Sequence, residues 1–304
     1  MNAKEFINSS MRCPKCLKKL ETNENYVKCI GCGEKYLFEK GVLVICPDDK
    51  YVSSFSLEWE RNRFTQVDSK GYVCGYDGAK DSKDIFNKKT LLTSEECFSS
   101  IILDAGCGVG RFAEIVQPSA ELLVCIDLSR ASYLCRELLP QENVLVIKGD
   151  LENIPLVDGA VDISYSIGVL HHAKDPRKAF SEVIRVTKSG GIFSGWVYAH
   201  NKWAEKDLVL KIKNIVSKID PSVLYELCEL APEVKRALRS FFKKVPAISG
   251  SKNDKECILD TFDWWSCQYR KHYDNNEVHK LLTELGCIEI GWGTFPVSFK
   301  CKKK

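Results

Sequence analysis

Cys13-Pro-Lys-Cys16 and Cys29-Ile-Gly-Cys32 form two CxxC pairs separated by twelve residues. Two such knuckles bring four thiolates to the corners of a tetrahedron, the geometry that Zn²⁺ takes, and Gly31 and Gly33 permit the tight turns that aim the sulfurs inward. Lys15, Lys18, Lys19, Lys28 and Lys35 would offset the negative charge of a four-thiolate centre. A redox CxxC needs one pair at a strand-to-helix junction, not two in a short ribbon. Four unligated cysteines would leave so short a segment without a core. The spacing predicts a zinc site of Cys13, Cys16, Cys29 and Cys32, structural because four sulfurs leave no open position.

A second set of residues suits a nucleoside. Ile101 to Gly110 (IILDAGCGVG) reads as a strand followed by a glycine-rich turn into a helix. Gly106, Gly108 and Gly110 let the backbone approach a ligand closely, and a helix N-terminus favours a carboxylate or another anion. A dinucleotide fingerprint would want a glycine at 111, where Arg111 stands. Asp127 ends the next apolar run, 21 residues after Gly106, where a carboxylate takes two ribose hydroxyls. Asp150 follows the third, within Lys-Gly-Asp-Leu, and suits an adenine amino group. Any one aspartate alone reads equally well as a helix cap or a solvated loop residue. Three acids (Asp104, Asp127 and Asp150) at successive strand ends beside a glycine loop are explained together by one nucleoside-binding site.

These groups need a scaffold that delivers strand ends to one edge. IILDA, LLVCID, VLVIK, VDISYS and GIFSGWVY alternate with amphipathic helical stretches, which predicts βαβ units and a doubly wound parallel sheet, an α/β fold. Asp175 caps a helix that Pro176 opens and Gly190-Gly191 follow. A helix over 274–285 and two short strands near 287–291 and 295–300 close the pattern. Three divisions are expected: residues 1–50 as the ribbon, 51–100 as a helical linker capping the cofactor, and 101–304 as the main domain, with a helical insert at 200–260. No internal repeat is evident.

The motifs LDAGCGVGRF, CIDLS, KGDLENIP, VDISYSIGVLHH and DPRKAFSEVIRVTKSGG, in that order, resemble the class I S-adenosylmethionine-dependent methyltransferases, of the type 11 kind. FSLEWERNRFTQVDS and TFDWWSCQYRKHYDNNEVHKLLTELGC extend the likeness to bacterial proteins that join a zinc ribbon to such a domain. The resemblance implies a Rossmann-like seven-stranded sheet whose last strand runs antiparallel. It also implies that Asp104, Gly106, Gly108 and Gly110 contact the methionine part of S-adenosyl-L-methionine. Asp127 with Leu128 would take the ribose and Asp150 with Leu151 the adenine, and Ser166 to Gly168 would lie under the methyl donor. The insert follows strand five, where this family commonly builds its acceptor pocket.

Tyr165-Ser-Ile-Gly-Val-Leu-His-His172 lacks the Asn/Asp-Pro-Pro-aromatic set that grips a nucleobase amine, and no Pro-Cys nucleophile for pyrimidine carbons is present. Oxygen acceptors stay open. His171 and His172 follow strand four at the carboxyl edge, where ligands bind, so either is a candidate general base or a loop anchor. Tyr198, His200 and Tyr269–Tyr273 are further pocket candidates. Trp59, Trp264 and Trp265 suit either a pocket wall or plain core packing. In the insert, Val234, Leu238, Phe241 and Val245 form a helical stripe. Lys235, Arg236, Arg239, Lys243 and Lys244 beside it are a solvated face or a lid for a phosphate-bearing substrate.

A formal net charge of +3 is too small to argue for nucleic acid or anionic membrane in general. A small-molecule methyl acceptor is therefore expected ahead of RNA, with a non-catalytic scaffold as the third reading. No apolar run is long enough to span a membrane and the first residues lack a signal-peptide core. The fifteen cysteines are odd in number and mostly lie singly in apolar runs. Cys107, Cys125 and Cys135 read as small buried hydrophobes of a reducing, cytoplasmic compartment.

Overall fold

A computed structural model describes residues 2–47, 50–72, 79–202, 205–238, 248–251 and 253–304. Strand β5 (Ile101–Ala105) is flanked by β6 (Leu122–Asp127) and β8 (Val161–Ile167), β6 by β7 (Val144–Lys148), and β8 by β9 (Thr187–Trp196), all in parallel. β10 (Cys287–Trp292) and β11 (Ser298–Lys303) complete that edge, with β11 antiparallel to both β9 and β10. Every residue of β5 and β7 is buried, as a parallel sheet covered on both faces requires. Successive residues feed opposite cores. Leu103, Val124, Ile126 and Ile147 join one cluster, while Ile102, Leu123, Cys125 and Val146 join the other.

Among the described residues the sheet has eleven strands, not seven. The additional four are β1 (Leu20–Thr22), β2 (Tyr26–Cys29), β3 (Lys35–Glu39) and β4 (Val42–Val44), an antiparallel series whose last member pairs in parallel with β7. β4, the strand that joins the ladder, is only three residues long, so its pattern does not announce that it will pair with the larger sheet. Phe6, Ile7, Met11, Leu20 and Val27 are buried in the same cluster as the β5–β7 face.

The helix after Asp175 runs Pro176–Val186, with the Asp175 carboxylate accepting from the Lys178 N–H at 3.1 Å. Strand β9 begins at once, so Gly190 and Gly191 lie within it and not in a loop after the helix. Among described residues the 200–260 stretch is helical at Asp207–Val216, Pro221–Glu229, Ala231–Leu238 and the start of Asp254–Ser266. No helix of the described residues is long and apolar enough to cross a membrane. Cys107, Cys125 and Cys135 are buried, as expected of small apolar side chains.

Candidate cofactor and acceptor site

The order of the strands reverses between β5 and β8, and a crevice opens there at their carboxyl ends. The loops that follow the two strands approach closely. A Cβ on Gly106, whose φ is +95°, would collide with the Val169 side chain, so only glycine fits. The next turn is tied to β6: the Gly108 N–H donates to Asp127 Oδ2 at 2.9 Å. Asp127 Oδ1 accepts from the Ser129 N–H at 2.8 Å and its hydroxyl at 2.6 Å. Asp150 Oδ1 accepts from the Glu152 N–H at 2.8 Å. Both carboxylates are thereby fixed in orientation with acceptor capacity to spare, which suits hydroxyl and amino donors.

These residues line one cavity of ≈ 290 Å³. Of the residues expected at the cofactor, Gly106, Gly108, Asp127, Leu128, Asp150, Leu151 and Gly168 are on its wall. Asp104, Gly110 and Ser166 are not. Asp104 is buried beneath the loop, where its carboxyl accepts from the Tyr165 hydroxyl at 2.8 Å, and burial pushes its pKa well above the ordinary carboxylate range. Gly110 abuts Cys135 and Leu138, and the Ser166 hydroxyl donates to the Ala105 carbonyl at 2.7 Å. Their support of the loop is indirect.

The far half of the cavity comes from the segment expected as a cap and from the end of the insert, and it includes acidic residues that the sequence did not single out. Helix Ser53–Asn62 brings Phe55, Glu58 and Trp59, and helix Asp254–Ser266 brings Leu259, Asp260 and Asp263. Glu58 is buried with Oε2 unpartnered, and burial raises its pKa well above the usual range. Burial pushes Asp260 up to about 6, opposed by the Ser249 hydroxyl that donates to Oδ2 at 2.8 Å. Lys89 is brought down to about 7 by burial and lies 3.5 Å from the centre of the Trp196 ring. Arg111, standing where a dinucleotide fold has glycine, reaches Ser82 at 2.9 Å and Gln66 at 3.2 Å and so ties both residues to the end of the glycine loop. Carboxylates three residues apart on one helix face (260 and 263) were the legible signal for the acidic wall.

His172 lines the cavity, as does Tyr198. The His172 Nδ1 lies 3.0 Å from the Tyr269 carbonyl, which only accepts, so Nδ1 carries the proton and Nε2 is the basic nitrogen. His171 is placed differently from the expectation of a base. It is fully buried behind that wall, 4.1 Å centre to centre from both His172 and Tyr198, with neither ring nitrogen partnered. Among the other candidates, His200 is exposed and paired with Glu205 and Glu277, and Tyr273 is a core residue. Trp264 stacks on Arg270 and Trp265 packs against the Leu224–Phe262 cluster.

Burial, reinforced by His172 and Arg270, drives the His171 pKa well below 6.5. The unfolded chain takes up a proton there as pH falls and the folded chain does not, so stability is lost below pH 6.5. His171→Asn cannot titrate. Between pH 6.5 and 5 wild type should therefore lose about 2 kcal/mol more than the variant in urea unfolding. Parallel pH slopes would show that His171 takes a proton in the fold.

The four ribbon sulfurs lie within 4.8 Å of one another. Cys13 and Cys32 Sγ are 3.7 Å apart and Cys16 and Cys29 Sγ 3.3 Å, against about 3.8 Å across a tetrahedron with 2.3 Å zinc–sulfur bonds. The Gly31 and Cys32 N–H groups donate to Cys29 Sγ at 3.3 and 3.4 Å, as they would to a thiolate. The donor set fits zinc.

Comparison with known proteins found similar chains. A family model described as a methyltransferase domain matches residues 103–194. Malonyl-[acyl-carrier protein] O-methyltransferase of Yersinia pestis is 30% identical over 38% of this chain and 43% of its own length. The enzyme of that name from Buchnera aphidicola subsp. Baizongia pistaciae is 34% identical over 43% of this chain and 55% of its own. The chain thus spans about half the length of these two relatives. Among solved structures, an S-adenosylmethionine-dependent methyltransferase from Mesorhizobium loti is 20% identical with a TM-score of 0.44, covering 71% of this chain and 84% of that one. One from Aquifex aeolicus is 15% identical with a TM-score of 0.42, covering 84% and 97%. Over residues 103–194 the chain is thus similar to methyltransferase domains.

Proposed function

We propose that this methyltransferase domain serves an enzyme that places a methyl group on an oxygen of a small molecule seated beside Asp260 and His172. The observation that carries the reading is the single cavity that runs from the glycine loop, Asp127 and Asp150 to a wall of aromatic and acidic side chains. S-adenosylmethionine, when bound, supplies a methyl group on a positively charged sulfur. Asp127 would hold its ribose, Asp150 and Leu151 its adenine, and the backbone at 106–108 its methionine end. Because the displacement is in line, the chain's main work is alignment and exclusion of water. The helices at 53–62 and 254–266 do that by walling in the acceptor half.

An alcohol acceptor must lose its proton as the carbon–oxygen bond forms. Asp260, at about 6, is ionised at neutral pH yet basic enough to take it, and Nε2 of the neutral His172 is the alternative base. The relatives' printed names describe transfer to oxygen, which agrees. We read residues 1–50 as a zinc ribbon, 51–100 as the cofactor cap and 101–304 as the main domain with its insert, in a cytoplasmic protein.

The reading of a phosphate-bearing substrate rests on the insert's cations. Arg236 is paired with Asp254 at 2.9 Å and Lys235 donates to the Ser251 carbonyl. Arg239, Phe241, Lys243, Lys244 and Val245 lie outside the described residues.

The test is incubation with methyl-labelled S-adenosylmethionine and cell extract fractionated into small molecules and RNA. Label is expected in a small molecule. Label in RNA alone would replace this reading, and none, with cofactor binding intact, would favour a scaffold. With the labelled acceptor in hand, Asp260→Asn should slow turnover about 10²–10⁴-fold while S-adenosylhomocysteine affinity stays unchanged. Full turnover would pass the proton to His172.

A further inference from the structure

The segment carrying Asp150 and Leu151 is held at both ends by the cysteine ribbon and its flanks. At its start, the Ile45 and Cys46 N–H groups donate to the Lys148 carbonyl at 2.9 and 3.2 Å, and Lys148 Nζ donates to the Cys46 carbonyl at 3.0 Å. At its end, the Arg12 N–H donates to the Pro155 carbonyl at 3.0 Å and the Val157 N–H to the Ser10 carbonyl at 2.9 Å. Met11 bridges Leu156 in antiparallel fashion. Between these ties, Asn153 Nδ2 donates to the carbonyl of Pro14 at 3.2 Å. Pro14 lies inside the first CxxC, so this bond joins the metal knuckle to the loop that follows β7. Cys13 and Cys29 share their buried cluster with Leu151, Ile154 and Leu156.

We propose that the ribbon is a brace for the cofactor pocket, holding the loop that carries Asp150 without lining the cavity itself, with Asn153 as the positioning residue that transmits the set of the Cys13–Cys16 knuckle to Asp150. The inference rests on the cofactor and zinc readings above. Without the metal the four sulfurs lose the bonds that hold the two knuckles together and the first knuckle opens, since such a site derives its folding energy from the metal. The Pro14 carbonyl then moves, and the loop between Lys148 and Pro155 loses a fixed end. The expected consequence is specific. Affinity falls at the adenine end, and with it the distinction between an exocyclic amino group, which Asp150 accepts from, and a carbonyl, which it does not.

Calorimetric titration with S-adenosylhomocysteine and with S-inosylhomocysteine, in which a carbonyl replaces that amino group, tests this. Zinc-loaded protein should prefer the adenine ligand, and chelation should weaken it about tenfold or more and shrink the preference. Asn153→Ala should keep its zinc, weaken the adenine ligand about threefold or more and lower the same preference. Where metal-free protein does not fold, the Asn153→Ala result decides. Unchanged affinity and preference in folded metal-free protein would overturn the inference. So would an equal loss for both ligands in Asn153→Ala, the mark of general destabilisation. Zinc-loaded wild type that binds neither ligand would instead bring down the cofactor reading, and this inference with it.

Discussion

Replacing Asp127 with alanine will weaken S-adenosylhomocysteine binding by about 2–4 kcal/mol, roughly 30- to 700-fold, in calorimetric titration. Two losses combine. A half-buried carboxylate that would accept from two ribose hydroxyls disappears, and charge-assisted bonds of that kind are worth about twice neutral ones. The tie from Gly108 to Oδ2 also goes, freeing the turn against which the ligand must pack. Asp127→Asn separates these, because its amide keeps one acceptor oxygen for the loop or for the ribose but not both. It should fall between wild type and alanine. Wild-type affinity in a folded Asp127→Ala protein would place the residue outside the site and undo the cofactor assignment.

The double substitution Cys13→Ser, Cys16→Ser will abolish a stoichiometry of one zinc per chain, measured by metal analysis of purified protein. Structural zinc sites contribute on the order of 10 kcal/mol of apparent folding energy in isolated ribbons. Here the loss should not stay local. β4 pairs with β7, and Phe6, Ile7 and Met11 fill the face of the main sheet, so thermal unfolding of the whole chain should shift down with the metal. Zinc retained in the double variant would mean that the ligands lie elsewhere. A lost metal with an unshifted transition would mean that the ribbon folds independently of the sheet.

How much of this was legible in the sequence follows from the range of the forces involved. Local chemistry was readable. The helix at Pro176–Val186 is specified by its own cap and its own apolar face, and the buried runs at 101–105, 122–127 and 144–148 by the two-sided burial of a parallel sheet. The CxxC pairs and the glycine loop were readable because turn geometry and ligand spacing are set within a few residues. Asp127 and Asp150 were readable because strand ends deliver them to one edge whatever the loops do.

Tertiary packing decided the rest. Whether an aspartate near a glycine loop faces a ligand or sits beneath it depends on pleat and depth, so Asp104 bonds Tyr165 in the core while Asp127 lines the cavity. Adjacent histidines point differently, and only His172 reaches the pocket wall. Glu58 and Asp260 are 202 positions apart in the chain, and their convergence rests on the packing of two helices that no periodicity couples. The ribbon's merger with the sheet is of the same kind. A strand edge pairs with any complementary edge in reach, and only the folded chain determines which edge that is.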